Sequence, residues 1–295
     1  MDKKTRINQV FDFFLTKIVI GIGIIGGLIW MVEQGGKFLD NTHLTAGTTN
    51  IIISIADAGI ALAAYIFLFR IYEKRKITEL RFSSLGKSAL LGVLVGLGLQ
   101  SFFILVIYLP GDYTIFHVNP LGYLSESFAT SLKAGFVAEI LIMGVLFRAT
   151  EEWFGTKITV VFITLLFALM HLNSKGASFV SVSSTALQAG FMLAAAYIAN
   201  RDLWLPIFIH FSWDFTEPGI FGGINPGTHV DRTLFSSGIQ GNVLITGGQT
   251  GPQNSLPALF CCLVTGLLFL YIGQRRNNFI MPRWDKKNIK AGLTQ

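Results

Sequence analysis

Long apolar runs recur along the whole chain, separated by short polar connections. Each run holds about 20 residues, which at 1.5 Å per helical residue matches the roughly 30 Å hydrocarbon core of a bilayer. The composition agrees, since 52% of the 295 residues are hydrophobic and only 14% are charged. The sequence therefore predicts an all-α, polytopic membrane helix bundle and excludes an ordinary water-soluble domain.

We predict about eight transmembrane helices from these runs. The span that contains His210 and Asp214 is too short to cross a bilayer upright, so we expect it to be partial, re-entrant or extended beyond Asp214. The predicted spans are 11–33, 48–69, 88–109, 127–148, 157–174, 180–200, 203–216 and 255–274.

No linker rich in proline or serine interrupts the chain, which favours a single membrane domain. Within it we expect three N-terminal transmembrane helices, a core that carries the polar residues, an outer loop, and a last helix with a basic tail. The predicted bounds of these four parts are 1–126, 127–216, 217–254 and 255–295.

The basic residues are distributed unequally between the two ends of the predicted helices. If both termini are cytoplasmic, all but four of the 23 lysines and arginines lie on the cytoplasmic side; the exceptions are Lys37, Lys133, Lys175 and Arg232. The positive-inside rule thus predicts an integral membrane protein with both termini in the cytoplasm. The plasma membrane of a bacterium is its expected location. The net charge of +6 is then explained by anionic headgroups of the bilayer, and no nucleic-acid partner is expected.

Four ionisable residues interrupt the apolar spans: Glu139 in FVAEILIMGVLF, His171 in FALMHL, and His210 with Asp214 in IFIHFSWDF. An ionisable group in a membrane helix costs several kcal/mol unless it is paired, so it marks a functional site inside the bundle. Helical rise places Glu139, His210 and His171 at compatible depths for one cavity. Such a set could activate water for hydrolysis, bind a metal or relay protons.

Structural roles remain alternatives for two of the four. His171 could bond a backbone carbonyl within its helix, and Asp214 could cap the end of its span. A structural role is less plausible for Glu139, because no lysine or arginine lies within a helical turn of it.

Two other apparent motifs are interpreted as structural. GIGIIG at 21–26 lies in a membrane span without a preceding strand, so it is not a dinucleotide-binding loop. The neighbouring Glu151 and Glu152 lie near Arg148 and Lys157, and we interpret them as a solvated charged boundary. Neither motif is expected to contribute to the site.

The order of the polar motifs resembles that of the CPBP (CAAX-protease and bacteriocin-processing, Abi) family of intramembrane endopeptidases. A helix with a glutamate is followed by F-x-x-x-H, and later by H-x-x-x-D, between about residues 131 and 215. The resembling segments are FVAEILIMGVLFRATEEWFG, LLFALMHLNS, ALQAGFMLAAAYI and LWLPIFIHFSWDF, with ITGGQTGPQNSL in the outer loop.

The resemblance implies hydrolysis of a peptide bond within the membrane by water that a glutamate and a histidine activate. On the matching positions, His171 would partner the base, while His210 and Asp214 would stabilise the oxyanion. The implied substrate is a membrane-embedded or lipidated peptide, including a prenylated CAAX peptide. The glutamate mechanism requires no cofactor; zinc is the alternative, because two histidines and a glutamate would suffice to bind it.

The first motif departs from the family pattern E-E-x-x-x-R, because Ala138 and Met143 replace its first glutamate and its arginine. Glu139 points about 100° away from the position of the missing base, and losing a general base costs about 10²–10⁴ in rate. Three explanations follow: a pseudoprotease or regulatory membrane scaffold, an enzyme whose base is Glu139, or a chain deliberately altered at both positions. A proton-coupled transporter is disfavoured, since no inverted repeat is evident.

Overall fold

The computed structural model describes residues 13–38, 45–174, 176–222 and 232–285. The start of the predicted first span, residues 11–12, lies outside these ranges. So do the middle of the predicted outer loop, residues 223–231, and most of the basic tail, residues 286–295.

The described chain is a bundle of long helices, which confirms the predicted all-α membrane architecture. Within it, six helical stretches are long and apolar enough to cross a bilayer, so the figure of eight stays a prediction. The α-helices are α1 Phe14–Gly36, α2 Ala46–Tyr72, α3 Phe82–Tyr108, α4 Leu124–Lys133, α5 Arg148–His171, α6 Phe179–Thr185, α7 Leu193–Asn200, α8 Trp204–Asp214, α9 Val243–Thr246 and α10 Leu256–Arg275.

One of the six stretches, Leu121–His171, is 51 residues long and is broken at Gly155. Gly155 has φ 75° and ψ 166°, a left-handed backbone conformation that a residue with a Cβ adopts only under strain. A Cβ at this position would also lie 2.8 Å from Cδ of Pro282. The break falls between the predicted spans 127–148 and 157–174.

Short π-helical segments interrupt the α-helices near the predicted site. Glu139 lies between two of them, and a third begins directly after Asp214 and extends the predicted short span to Phe221. The π-helix is rare, occurs mostly as short segments inside α-helices, and is frequent at functional sites. Within the described residues, these segments are Ala134–Ala138, Ile140–Phe147, Ala186–Met192 and Phe215–Phe221.

A two-stranded antiparallel sheet joins the connection after α3 to the outer loop. Strand β1, Tyr113–Val118, pairs with β2, Phe235–Ile239, with Tyr113 opposite Ile239. The sequence analysis assigns no strand to either segment, although β1 is rich in the β-branched and aromatic residues that favour strands.

Buried ion pairs connect the helices at the basic end of the bundle. The guanidinium of Arg148 contacts both carboxylate oxygens of Glu73, at 2.8 and 2.9 Å. Lys17 of α1 lies 2.6 Å from Glu152 and 3.3 Å from Glu73. These contacts bring the start of α1, the end of α2 and the start of α5 together.

The interpretation of Glu151 as part of a solvated boundary is wrong. Its side chain is 1% exposed and accepts hydrogen bonds from Arg201 at 2.6 and 2.9 Å. Thr156 donates a third hydrogen bond of 2.5 Å. Arg201 follows α7 and is 50 positions away, so the ion pair depends on tertiary packing that local charge patterns do not reveal. Glu151 and Glu152 bind different cations and form no carboxylate dyad.

Candidate functional site

Three of the four predicted site residues form one hydrogen-bonded line. His210 Nδ1 lies 2.8 Å from Glu139 Oε1, and His210 Nε2 lies 3.3 Å from Asp214 Oδ2. A neutral imidazole has one N–H and can donate to only one of these carboxylates, whereas an imidazolium donates to both. The arrangement therefore favours the imidazolium form of His210, in which both ring nitrogens carry a proton.

Close packing of α8 against the segment Ala134–Ala138 brings Glu139 and His210 together. A Cβ on Gly135 would lie 2.8 Å from the carbonyl oxygen of Ile207 and 2.9 Å from Cβ of Phe211. The absence of a side chain at Gly135 thus allows the two backbones to approach, as small residues do in membrane helix pairs.

Only one of the two carboxylate oxygens of Glu139 has a hydrogen-bond partner among the described residues. The residue has no exposed surface, and its Oε2 has no hydrogen-bond partner among the described residues. An unsatisfied buried acceptor costs about 1–3 kcal/mol, which a purely structural glutamate would have no reason to retain. Oε2 is thus free to accept a proton or a hydrogen bond from water.

A narrow cavity adjoins His210 on the side of π segment Ala186–Met192. Gln188, Met192, Ile209 and Trp213 line it with His210. Gln253 of the outer loop closes over this region, because its Oε1 accepts hydrogen bonds from Trp213 Nε1 at 2.9 Å and from Gln188 Nε2 at 3.3 Å.

The sequence analysis does not single out Gln188, Trp213 or Gln253, although each lies in a segment that resembles the family. An amide inside an apolar helix, as at Gln188, is a signal that could have identified one of them. The contact of Gln253 with α8 has no local signal, since the two lie 40 positions apart.

His171 is held by contacts within its own helix. Its Nδ1 lies 2.9 Å from the carbonyl oxygen of Phe167, one turn earlier in α5, and its ring stacks on that of Phe167. No hydrogen bond or ion pair connects it to Glu139, His210 or Asp214 in the part of the chain that the structure describes. The bond to Phe167 fixes the orientation of the ring and leaves Nε2 free.

The two replaced motif positions have different surroundings. Ala138 is partly exposed, whereas Met143 has no exposed surface and packs in the apolar core with Tyr65 and Leu203. An arginine at 143 would bring a charge into this core. Arg148 does not take its place, because its guanidinium is bound to Glu73 and Glu152.

In the observed arrangement, the side chains of the site are poorly placed to coordinate a zinc ion. Both ring nitrogens of His210 face carboxylates, and no group of three or more His, Cys, Asp or Glu side chains within the described residues is arranged to hold a metal. Coordination by His210 would require its ring to leave Glu139 or Asp214. Whether zinc has a role stays a prediction.

Comparison with protein families gives a match to the model described as type II CAAX prenyl endopeptidase Rce1-like, over residues 120–216. The match covers about a third of the chain and contains Glu139, His171, His210 and Asp214. Comparisons with curated proteins and with solved structures give no match. Over residues 120–216, the chain is similar to the Rce1-like type II CAAX prenyl endopeptidases, which confirms the resemblance of its motifs to the CPBP family of membrane proteases.

Proposed function

We propose that the chain is an intramembrane endopeptidase that hydrolyses a membrane-associated peptide with water activated by Glu139. The observation that carries the proposal is the buried carboxylate of Glu139, held at Oε1 by His210 and free at Oε2. Its candidate substrate, from the family match, is a prenylated CAAX peptide. This assignment makes Glu139 the base in place of the glutamate that Ala138 replaces.

The residues have distinct roles in this mechanism. Glu139 Oε2 takes a proton from water as the water oxygen attacks the carbonyl carbon of the scissile bond. His210 holds Glu139 in place, and its Nε2–H, whose contact with Asp214 is long at 3.3 Å, donates to the developing oxyanion. When the C–N bond breaks, Glu139 returns the proton to the leaving amine.

His171 and Asp214 complete the proposed site. The free Nε2 of His171 contacts the attacking water, as the family resemblance implies. Asp214, with a side chain that is 35% exposed, keeps His210 protonated until the substrate binds. The reaction uses no covalent acyl-enzyme and requires no cofactor; a zinc-dependent form of the reaction is the alternative.

A second candidate function is a pseudoprotease or regulatory membrane scaffold that binds the same peptides without cutting them. The buried Met143 favours it, because the apolar core has closed over the position where the family has an arginine. The lack of a direct hydrogen bond from His171 to Glu139 or His210 among the described residues also favours it.

A peptidase assay separates the two candidates. The purified chain is incubated in detergent with prenylated and unprenylated membrane peptides, and compared with Glu139→Gln and with Ala138→Glu, which restores a base at a partly exposed position. Glu126→Gln is the matched control, because Glu126 is an exposed residue of the neighbouring α4.

Cleavage that is lost in Glu139→Gln and kept in Glu126→Gln supports the protease with Glu139 as base. Cleavage only by Ala138→Glu refutes that mechanism and supports a pseudoprotease. Binding without cleavage by any variant supports the scaffold. A double variant with Met143→Arg is a weaker probe, since the added charge enters the core.

We also propose that both termini lie in the cytoplasm of a bacterium, with the chain in its plasma membrane. Lys17, Arg148, Arg201 and Arg276 gather at one end of the bundle, as the positive-inside rule requires of the cytoplasmic side. A reporter active only in the cytoplasm should be active at either terminus.

A further inference from the structure

A second cavity opens at the basic end of the bundle, away from the Glu139 site. Its volume is about 380 Å³, within the range of roughly 300–1,000 Å³ that is usual for small-molecule sites. It lies between the first turns of α3 and the last turns of α10, with the start of α8 behind it. Its polar lining includes Arg81, Ser83, Ser84, Lys87, Ser88, Asp202 and Arg276.

Three cations of this cavity have no acidic partner. Arg81 and Arg276 both converge on Asn200, where Arg81 donates to its carbonyl oxygen at 3.3 Å and Arg276 to its side chain. Among the described residues, no carboxylate lies within ion-pair distance of Arg81, Lys87 or Arg276. The single acid in the lining, Asp202, is already bound by Ser88 and by the backbone N–H of Leu205. The cavity therefore has an excess of positive charge.

The other wall of the cavity is apolar and extends towards the membrane interior. Leu91 of α3 lies about 15 Å along the helix from Arg81, and on α10 the lining passes from Arg276 to Ile272 and Phe269. Both helices are apolar enough to cross a bilayer. The cations thus lie at the level of headgroups, and the apolar wall at the level of acyl chains.

We propose that this cavity binds an anionic phospholipid, with the phosphate between Arg81, Lys87 and Arg276 and an acyl chain along Leu91 and Ile272. Basic pockets between transmembrane helices suit such headgroups, since each basic residue near the membrane surface strengthens the attraction of an anionic lipid. A soluble organic phosphate would bind the same cations but would make no contact with the apolar wall.

Native mass spectrometry of the full chain in detergent tests the proposal with phosphatidylglycerol, phosphatidylcholine and glycerol 3-phosphate. The site variant is Arg81→Gln, Lys87→Gln, Arg276→Gln. The matched control is Arg70→Gln, Lys74→Gln, Lys76→Gln, which removes the same charge from exposed residues outside the cavity. We expect the site variant to weaken phosphatidylglycerol binding about tenfold or more, and the control to change it little.

Equal loss in the two triple variants, or equal binding of phosphatidylcholine and phosphatidylglycerol, would overturn the proposal. Equal affinity for glycerol 3-phosphate and phosphatidylglycerol would overturn the lipid as ligand and assign the cavity to a soluble phosphate.

Leu91→Trp provides a second test that keeps all three cations, in case the triple variant does not fold. It should weaken lipid binding about tenfold while leaving glycerol 3-phosphate binding unchanged, because the indole fills the space of the acyl chain. Unchanged lipid binding in this variant would contradict the proposed path of the chain.

Discussion

The imidazole of His210 bonds the buried carboxylate of Glu139 at 2.8 Å, across a separation of 71 positions in the chain. Glu139 has no exposed surface, and removing the imidazole would leave both of its oxygens without a partner among the described residues. We expect His210→Ala to lower the free energy of unfolding by about 1–3 kcal/mol.

Thermal unfolding in detergent measures this loss, and His117→Ala is its control, because His117 is an exposed residue of β1. Adding Glu139→Gln to His210→Ala should cost less than the sum of the two single changes, since the two residues share one hydrogen bond. Strict additivity would show that the pair is not coupled in the folded protein.

His171→Ala is expected to separate stability from turnover. Among the described residues, the side chain of His171 bonds only a carbonyl of its own helix, so its loss should leave the unfolding temperature nearly unchanged. If its free Nε2 contacts the attacking water, peptide cleavage should fall by about 10²–10⁴. Cleavage at the parental rate by a normally stable variant would remove His171 from the site.

Gly135→Leu is expected to abolish cleavage and lower stability. The added side chain would meet the backbone of α8 at 2.8 Å and push His210 away from Glu139. Gly98→Leu is the control, because nothing lies within 4 Å of a Cβ at that position of α3. Overpacking of this kind costs about 1–3 kcal/mol, so equal unfolding temperatures for the two variants would contradict the close approach.

Acid is expected to destabilise the basic end of the bundle through Glu73 and Glu79. Burial raises the pKa of Glu73, but Arg148 and Lys17 more than offset it, and the pKa lies below its ordinary value of 4.5. Burial also raises the pKa of Glu79, but the hydrogen bonds and charge of Arg75 more than offset this effect. The pKa of Glu79 therefore also lies below its ordinary value.

Since both pKa values are lowered on folding, these carboxylates stabilise the fold above about pH 4.5, and the contribution is lost as the pH falls through the folded pKa. In measurements from pH 7 to pH 3, the unfolding temperature should decrease as the pH falls below about 4.5. Glu73→Gln should make the fall shallower, and Glu126→Gln should not. An identical pH profile for Glu73→Gln and the parent protein would refute this origin.

Zinc content distinguishes the two forms of the proposed chemistry. Because both nitrogens of His210 face carboxylates, we expect the purified chain to contain zinc at well below one ion per chain by elemental analysis. Cleavage should persist in the presence of a chelator. One equivalent of tightly bound zinc that is lost in His210→Ala would instead support coordination at this site.

The sequence was sufficient to predict the membrane bundle and to predict that Glu139, His210 and Asp214 lie close together. Apolar run length and the cost of buried charge are properties of single segments, so they are visible without a structure. The spacing of His210 and Asp214 on one helix face also needed no tertiary information.

Other features depend on packing between distant segments and could not be predicted. The burial of Glu151 depends on Arg201, and the closure of the cavity depends on Gln253 reaching Trp213. The π-helical turns around Glu139 have no recognised sequence period, and they change which side chains face the site.

The break at Gly155 makes the fold sensitive to any replacement of this one residue. Every amino-acid replacement of this glycine adds a Cβ to a backbone at φ 75° and places it 2.8 Å from Pro282. Loss of Glu139 is expected to stop the proposed reaction in an intact fold, whereas replacement of Gly155 is expected to impair folding itself. A disabling mutation there would reduce the amount of protein that reaches the membrane, and a screen for activity alone would mistake it for a catalytic defect.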